Sequence, residues 1–211
     1  MNMAPAETEL SAYFDRCASN GSMGEFEPHE LETVRRLIEE WRIGAGDRVL
    51  EPGCGSGRLT ALLAERVGAG GLVLGLDLSG EMVRRARRRG LGPQVRLERG
   101  SAARVPAPDG FFHHVVCFNV FPHFVDPAPV LAELCRVMAP AGSLWIAHLG
   151  SREEVNAFHR GLEGPVRGHR LPSPDDLERL LAAAGLVLER LSDGEKGFRA
   201  RAVRGPVETL G

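Results

Sequence analysis

Apolar positions along the chain recur with two different periods, and their order predicts strands and helices in alternation. Leu31, Val34, Leu37, Ile38 and Trp41 fall three and four residues apart and predict a helix ending before Gly44-Ala45-Gly46-Asp47. A short run ending in Val49-Leu50 predicts a buried strand, and Leu59, Leu62 and Leu63 mark the helix after it. Gly68-Ala69-Gly70-Gly71 breaks that pattern before a second apolar run, residues 72–77, which closes on an acid. Ser79 is placed to cap the next helix. Residues 95–99 alternate like a third strand, residues 115–120 form a fourth, and Val130, Leu131, Leu134, Val137 and Met138 trace a buried helix running into a fifth strand at 143–149.

The C-terminal third repeats the same grammar. Ser151-Arg152-Glu153-Glu154 is a capping box for a short helix through Phe158 and His159, and Ser173-Pro174-Asp175-Asp176 starts a helix that carries Leu177, Leu180, Leu181 and Ala184 to Gly185. Between them lies a loop punctuated by glycine and proline, within a segment, 150–172, expected to act as a substrate lid. Residues 186–191 and 198–203 form a closing hairpin. At the other end, residues 1–12 are small and polar and expected to fray, 13–42 form an N-terminal helical cap segment, and Asn20-Gly21-Ser22-Met23-Gly24 reads as a mobile loop. The whole predicts one α/β domain over 1–211, its sheet mostly parallel with an antiparallel C-terminal hairpin.

Candidate chemistry concentrates where the first strand stops. Glu51-Pro52-Gly53-Cys54-Gly55-Ser56-Gly57 places three glycines at alternate positions in a turn that feeds a helix, so backbone can approach a ligand and the helix can aim unpaired N–H groups at it. A dinucleotide fingerprint, Gly-x-Gly-x-x-Gly, fails here: from Gly53 its third glycine would be Arg58, and from Gly55 it would be Thr60. Asp77 lies 20 residues beyond Gly57, at the end of the second strand, the separation expected of a carboxylate that reaches a ribose.

The acidic-x-Gly-x-Gly-x-Gly pattern resembles the first motif of class I S-adenosylmethionine-dependent methyltransferases of the small-molecule type. That resemblance implies a Rossmann-like seven-stranded sheet with helices on both faces and S-adenosyl-L-methionine as cofactor. It puts Glu51 near the methionine amino end and the backbone of Gly53, Cys54, Gly55 and Gly57 beside the methionine and ribose. Leu78 and Met82 become walls around ribose and adenine. Gly100-Ser101-Ala102 stands where the family has Gly-Asp-Ala, so Ser101 replaces an acid beside the adenine amino group with a weaker hydroxyl acceptor. Residues 106–112 resemble another family stretch, with His113 in place of a structural acid. Tyr13-Phe14-Asp15-Arg16-Cys17-Ala18 resembles the Phe-Phe-Asp-x-x-Ala segment that lies over the active site.

Open α/β sheets bind ligands beyond the carboxyl ends of their strands, so Asn119, Phe121, Pro122, His123 and Phe124 are expected in the reaction zone. The candidate catalytic residues are His123, His148 and Tyr13. His148, His159 and His169 follow one another toward the same region; they read as separate surface or capping histidines, as a source of a general base or, lacking a tight metal spacing, as a loose metal site. No metal is assigned. The expected reaction is methyl transfer from S-adenosylmethionine to a small molecule. The alternatives are a protein that binds S-adenosylmethionine without transferring its methyl group and a metal-handling protein using His148, His159 and His169.

Charge and cysteine content narrow the partners. A net charge of −2 gives no general attraction to nucleic acid or anionic membrane, and the arginines at 84, 85, 87, 88 and 89 point several ways around one helix with no interleaved aromatics. They read as a solvated face. Four scattered cysteines and the lack of a signal peptide or long apolar span lead to the expectation of a cytoplasmic protein.

Overall fold

Side chains of successive strand residues point to opposite faces, and here both faces are covered. Val49, Val73, Val116 and Trp145 pack with Val34, Leu37, Trp41, Leu59 and Leu63 on one side, while their neighbours Leu50, Leu74, Val115 and Leu144 pack with Leu131, Leu134, Leu177 and Leu181 on the other. This two-sided burial is why the central strands read as continuous apolar runs.

The computed structural model describes residues 3–20 and 24–206. Its strands are β1 (Arg48–Pro52), β2 (Leu72–Asp77), β3 (Val95–Arg99), β4 (Phe112–Phe118), β5 (Met138–His148), β6 (Leu186–Gly194) and β7 (Gly197–Arg204). They form one sheet in the order β3-β2-β1-β4-β5-β7-β6, parallel from β3 to β5, with β7 antiparallel to both β5 and β6. The helices are α1 (Pro5–Ser19), α2 (Pro28–Glu40), α3 (Arg58–Val67), α4 (Gly80–Arg87), α5 (Pro127–Val137), α6 (Arg152–Arg160) and α7 (Pro174–Ala183). Strand order reverses between β1 and β4, which opens a crevice at their carboxyl ends.

Three expectations need correction. The N-terminus is not frayed from residue 5 onward: Pro5 opens α1, Glu7 accepts the Ala4 N–H at 3.0 Å, and Leu10 is buried. Farther along that helix, Asp15 accepts hydrogen bonds from Ser79 Oγ at 2.5 Å and the Glu81 N–H at 3.0 Å, docking α1 against the start of α4. Second, the arginines in and just after α4 do more than face water, since Arg85 donates to Ala18 O, Arg87 to Leu97 O and Arg89 to Ser56 O. Third, β5 begins at Met138, five residues before the expected start, and pairs with Phe112 across a bulge. Gly21-Ser22-Met23, the centre of the expected mobile loop, lies outside the described residues.

His113 sits in β4 with Nδ1 2.9 Å from Asp47 Oδ1, so the acid it faces comes from the turn before β1. The segment after α6 is pinned: Asn156 donates to Leu171 O at 3.1 Å and accepts its N–H at 2.7 Å, and Val166 and Leu171 are buried.

Leu50→Ala, in the middle of the sheet, should destabilise the protein by about 2–5 kcal/mol through a cavity that the flanking strands cannot close. Phe158→Ala, 64% exposed on α6, should change stability by no more than about 0.5 kcal/mol. Urea unfolding of both variants checks this, and equal losses would contradict the assignment of the core.

Candidate cofactor and active site

The crevice is shaped by a turn that only glycine tolerates. Gly53, Gly55 and Gly57 have φ of 70°, 53° and 80°, in the left-handed region. A Cβ on Gly53 would stand 2.2 Å from Val120 Cγ2, whereas one on Gly55 would meet no protein atom within 4 Å. Gly53 therefore lets the segments just after β1 and β4 approach, and Gly55 leaves open space beside the crevice. Asp77 fixes the turn from β2: its Oδ2 accepts the Gly55 N–H and its Oδ1 the Ser79 N–H, each at 2.8 Å. Ser79 Oγ in turn caps α4 by accepting the Met82 N–H at 3.0 Å.

A cavity of about 380 Å³ lies over these strand ends, within the range of small-ligand sites. Gly53 and Gly55 line it from β1, Asp77 and Leu78 from β2, and Met82 from α4. Ser101 and Ala102 line it after β3, and Asn119 and His123 after β4. Glu51, Cys54 and Gly57 do not line it. Glu51 and Cys54 are buried beneath the turn, and Gly57 is the N-cap of α3. Glu51 accepts a hydrogen bond from Thr60 Oγ1 at 2.6 Å, and burial pushes its carboxyl up to about 8. Burial also raises Asp77, to about 6, against the two backbone N–H bonds that pull it down.

Three acids, Glu7, Asp77 and Asp126, line the cavity, and among its described lining residues there is no arginine or lysine. In a chain with 26 basic residues this is a selective exclusion. A phosphate-rich ligand would meet only repulsion there, whereas a cationic one is favoured.

Beside this cavity is a groove of about 1,230 Å³, which shares Leu10, Phe124 and Val125 with it. The expected lid forms one wall, through Pro165, Gly168 and Leu171. A histidine pair connects the two spaces: His123 lines the cavity, His169 lines the groove, and their Nδ1 atoms are 2.9 Å apart. Burial, with the neighbouring imidazoles, pushes His123 down to about 3. His159 stacks edge-on against His123 with ring centroids 4.9 Å apart, but it is buried and lines neither space. His148 is buried against Phe198, also outside both. Among the described residues no group of three or more His, Cys, Asp or Glu is placed to hold a metal ion, so the metal reading of His148, His159 and His169 is not supported.

Tyr13 does not line the cavity; its neighbour Phe14 does, packed edge-on against His123 with centroids 5.2 Å apart. Sequence reasoning missed Glu7 altogether. The signal was present as Pro5 at the first helical position with an acid at the third, a helix start concealed in a stretch otherwise polar and small.

A family model described as "Methyltransferase domain" matches residues 49–142. The ubiquinone biosynthesis O-methyltransferase of Thiobacillus denitrificans is 31% identical over 185 residues, covering 80% of this chain and 77% of that protein. The demethylmenaquinone methyltransferase of Thermus thermophilus is 31% identical over 180 residues, covering 74% and 81%. A solved structure of a SAM dependent methyltransferase from Aquifex aeolicus shares the fold, with a TM-score of 0.69, 24% identity and coverage of 91% of this chain and 97% of that one. Three further curated relatives are longer, and the chain spans only 29%, 60% and 48% of their lengths.

The raised carboxyl of Glu51 sets a pH dependence. Folded Glu51 holds its proton up to about pH 8, while in the unfolded chain it releases it near the ordinary value of 4.5. Between those values the folded state binds more protons, so this group's contribution to stability falls as pH rises. Glu51→Gln, which keeps an acceptor for Thr60, should flatten the decline in melting temperature from about pH 5 to about pH 8. Parallel wild-type and variant curves would show that Glu51 is charged in the folded protein.

Proposed function

This chain belongs to the S-adenosylmethionine-dependent methyltransferases, and we propose that it transfers the methyl group of that cofactor to a small-molecule acceptor bound in the neighbouring groove. The observation that carries this reading is the acid-lined cavity without arginine or lysine at the sheet's switch point. It fits a ligand with a sulfonium and an ammonium group and no phosphate.

The residues present suit that ligand. Asp77 lines the cavity, and each of its oxygens, having accepted one backbone N–H, still has a lone pair for a vicinal diol. The open space at Gly55 leaves room beside the loop backbone. Leu78 and Met82 offer apolar walls. Glu51 and Cys54 are buried beneath the turn and do not line the cavity.

When bound, the cofactor supplies a methyl group already activated on sulfur, so the protein's task is to align an acceptor with it. Asn119, held at φ 52° and accepting the Leu149 N–H through Oδ1 at 3.3 Å, shapes the end of β4 where that alignment takes place. His123 is the basic side chain at that position. Burial holds it neutral, so a ring nitrogen can accept a hydrogen bond from an acceptor hydroxyl or amine and orient it toward the methyl group. His169, with its Nδ1 2.9 Å from that of His123, fixes the His123 ring from the groove side. The competing reading, a protein that binds the cofactor without transferring its methyl group, predicts binding without turnover for every acceptor offered.

S-Adenosylmethionine and S-adenosylhomocysteine should both raise the melting temperature, and nicotinamide dinucleotides should not, because only ligands of the native state stabilise it. A larger shift with NAD would overturn the proposal. Asp77→Ala should weaken cofactor binding about ten- to a hundredfold by calorimetry. It should also lower stability, since the Gly55 and Ser79 N–H groups lose their acceptor. Unchanged affinity would remove Asp77 from the ribose.

A further inference from the structure

Under the proposed function, strand order sets the direction in which the cofactor lies in the cavity. The reacting end belongs at β4, beside His123 and the groove, and the diol belongs at Asp77 on β2. What remains of the ligand must extend to the end of β3, where Ser101, Ala102 and Ala103 line the cavity. Ser101 is a weak acceptor by itself, and its hydroxyl is already engaged: it accepts the Ala103 N–H at 3.1 Å and donates to Glu7 Oε1. Glu7 arrives from α1, lines the same end of the cavity, and uses its other oxygen for the Ala4 N–H at 3.0 Å.

We propose that Glu7 is the nucleobase-reading residue of this site, its carboxylate accepting the exocyclic amino group of the cofactor's adenine at a place where β3 itself offers only a hydroxyl. The proposal rests on the reading of the cavity as an S-adenosylmethionine site. The placement has structural support beyond one contact. α1 is fixed to the nucleotide-facing turn by Asp15, which accepts from Ser79 and Glu81, and by Ser11 Oγ, which donates to Leu78 O at 2.9 Å. Helix α1 thus presents Glu7 from a rigid mount. Each carboxylate oxygen has two lone pairs, so Oε1 can hold the Ser101 hydroxyl and accept an amino N–H as well. A 6-oxo purine would instead turn an acceptor toward that carboxylate and be rejected.

The test separates recognition from support of the fold. Affinities of wild type, Glu7→Gln and Asp77→Asn are measured by calorimetry for S-adenosylhomocysteine and for its deaminated analogue, S-inosylhomocysteine. Wild type should prefer the amino form by about ten- to a hundredfold. Glu7→Gln, whose amide can donate to a 6-oxo group, should cut that preference at least about fivefold by raising affinity for the inosine analogue relative to the adenosine compound. Asp77→Asn should weaken both ligands and leave their ratio intact. Ser101→Ala, which removes the hydroxyl that orients Glu7, should narrow the ratio in the same direction as Glu7→Gln. If Glu7→Gln weakens both ligands equally, Glu7 only holds α1 in place and the proposal is wrong while the cofactor site stands. If wild type binds neither compound, the cofactor reading itself fails, and the proposal with it.

Discussion

The Asp77 carboxylate is the interaction on which the site depends. One oxygen holds the glycine turn after β1 through Gly55, and the other holds the start of α4 through Ser79. Ser79 caps α4 and donates to Asp15, and Asp15 secures α1. Helix α1 then sets Glu7 beside Ser101 at the end of β3. A half-buried carboxylate that accepts two backbone N–H groups is costly to desolvate, and those bonds are what make its position tenable. The same residue lines the cavity, so the group that builds the turn is also part of the cavity wall.

Charge sorting complements that geometry. The chain is rich in arginine, yet the cavity is lined by acids and a neutral imidazole. The arginines lie elsewhere, several of them tying carbonyl groups around α4, and others along the groove, where Arg152, Arg160, Arg170 and Arg179 stand. Two adjoining spaces thus differ in charge, the cavity lined by acids without arginine or lysine and the groove by both arginines and the acids Glu9 and Asp176, and they touch through the His123 and His169 pair. Desolvation lowers both rings below the ordinary imidazole value, which disfavours charge where they meet.

The residues by themselves determined the order of elements from α2 onward, the glycine turn, the strand-end acid and the Ser79 cap. All of these are local: periodicity, positive φ and capping act over a few residues, and their signatures stand in contiguous sequence. The excluded dinucleotide pattern belongs with them, because it turned on single positions, Arg58 and Thr60. Tertiary structure decided the rest. Nothing in the sequence near Ser101 says that an acid will come from 94 residues away, because that contact exists only after α1 docks. Nor does spacing reveal that His123 would meet His169 while His148 stays buried outside both spaces. Glu51 shows the same division. Its place at the strand end was legible, but whether it faces ligand or core depends on how the turn folds over it, and the fold buries it against Thr60. Local rules specify which backbone turns form; long-range packing specifies which side chains those turns bring together, and chemistry needs the second.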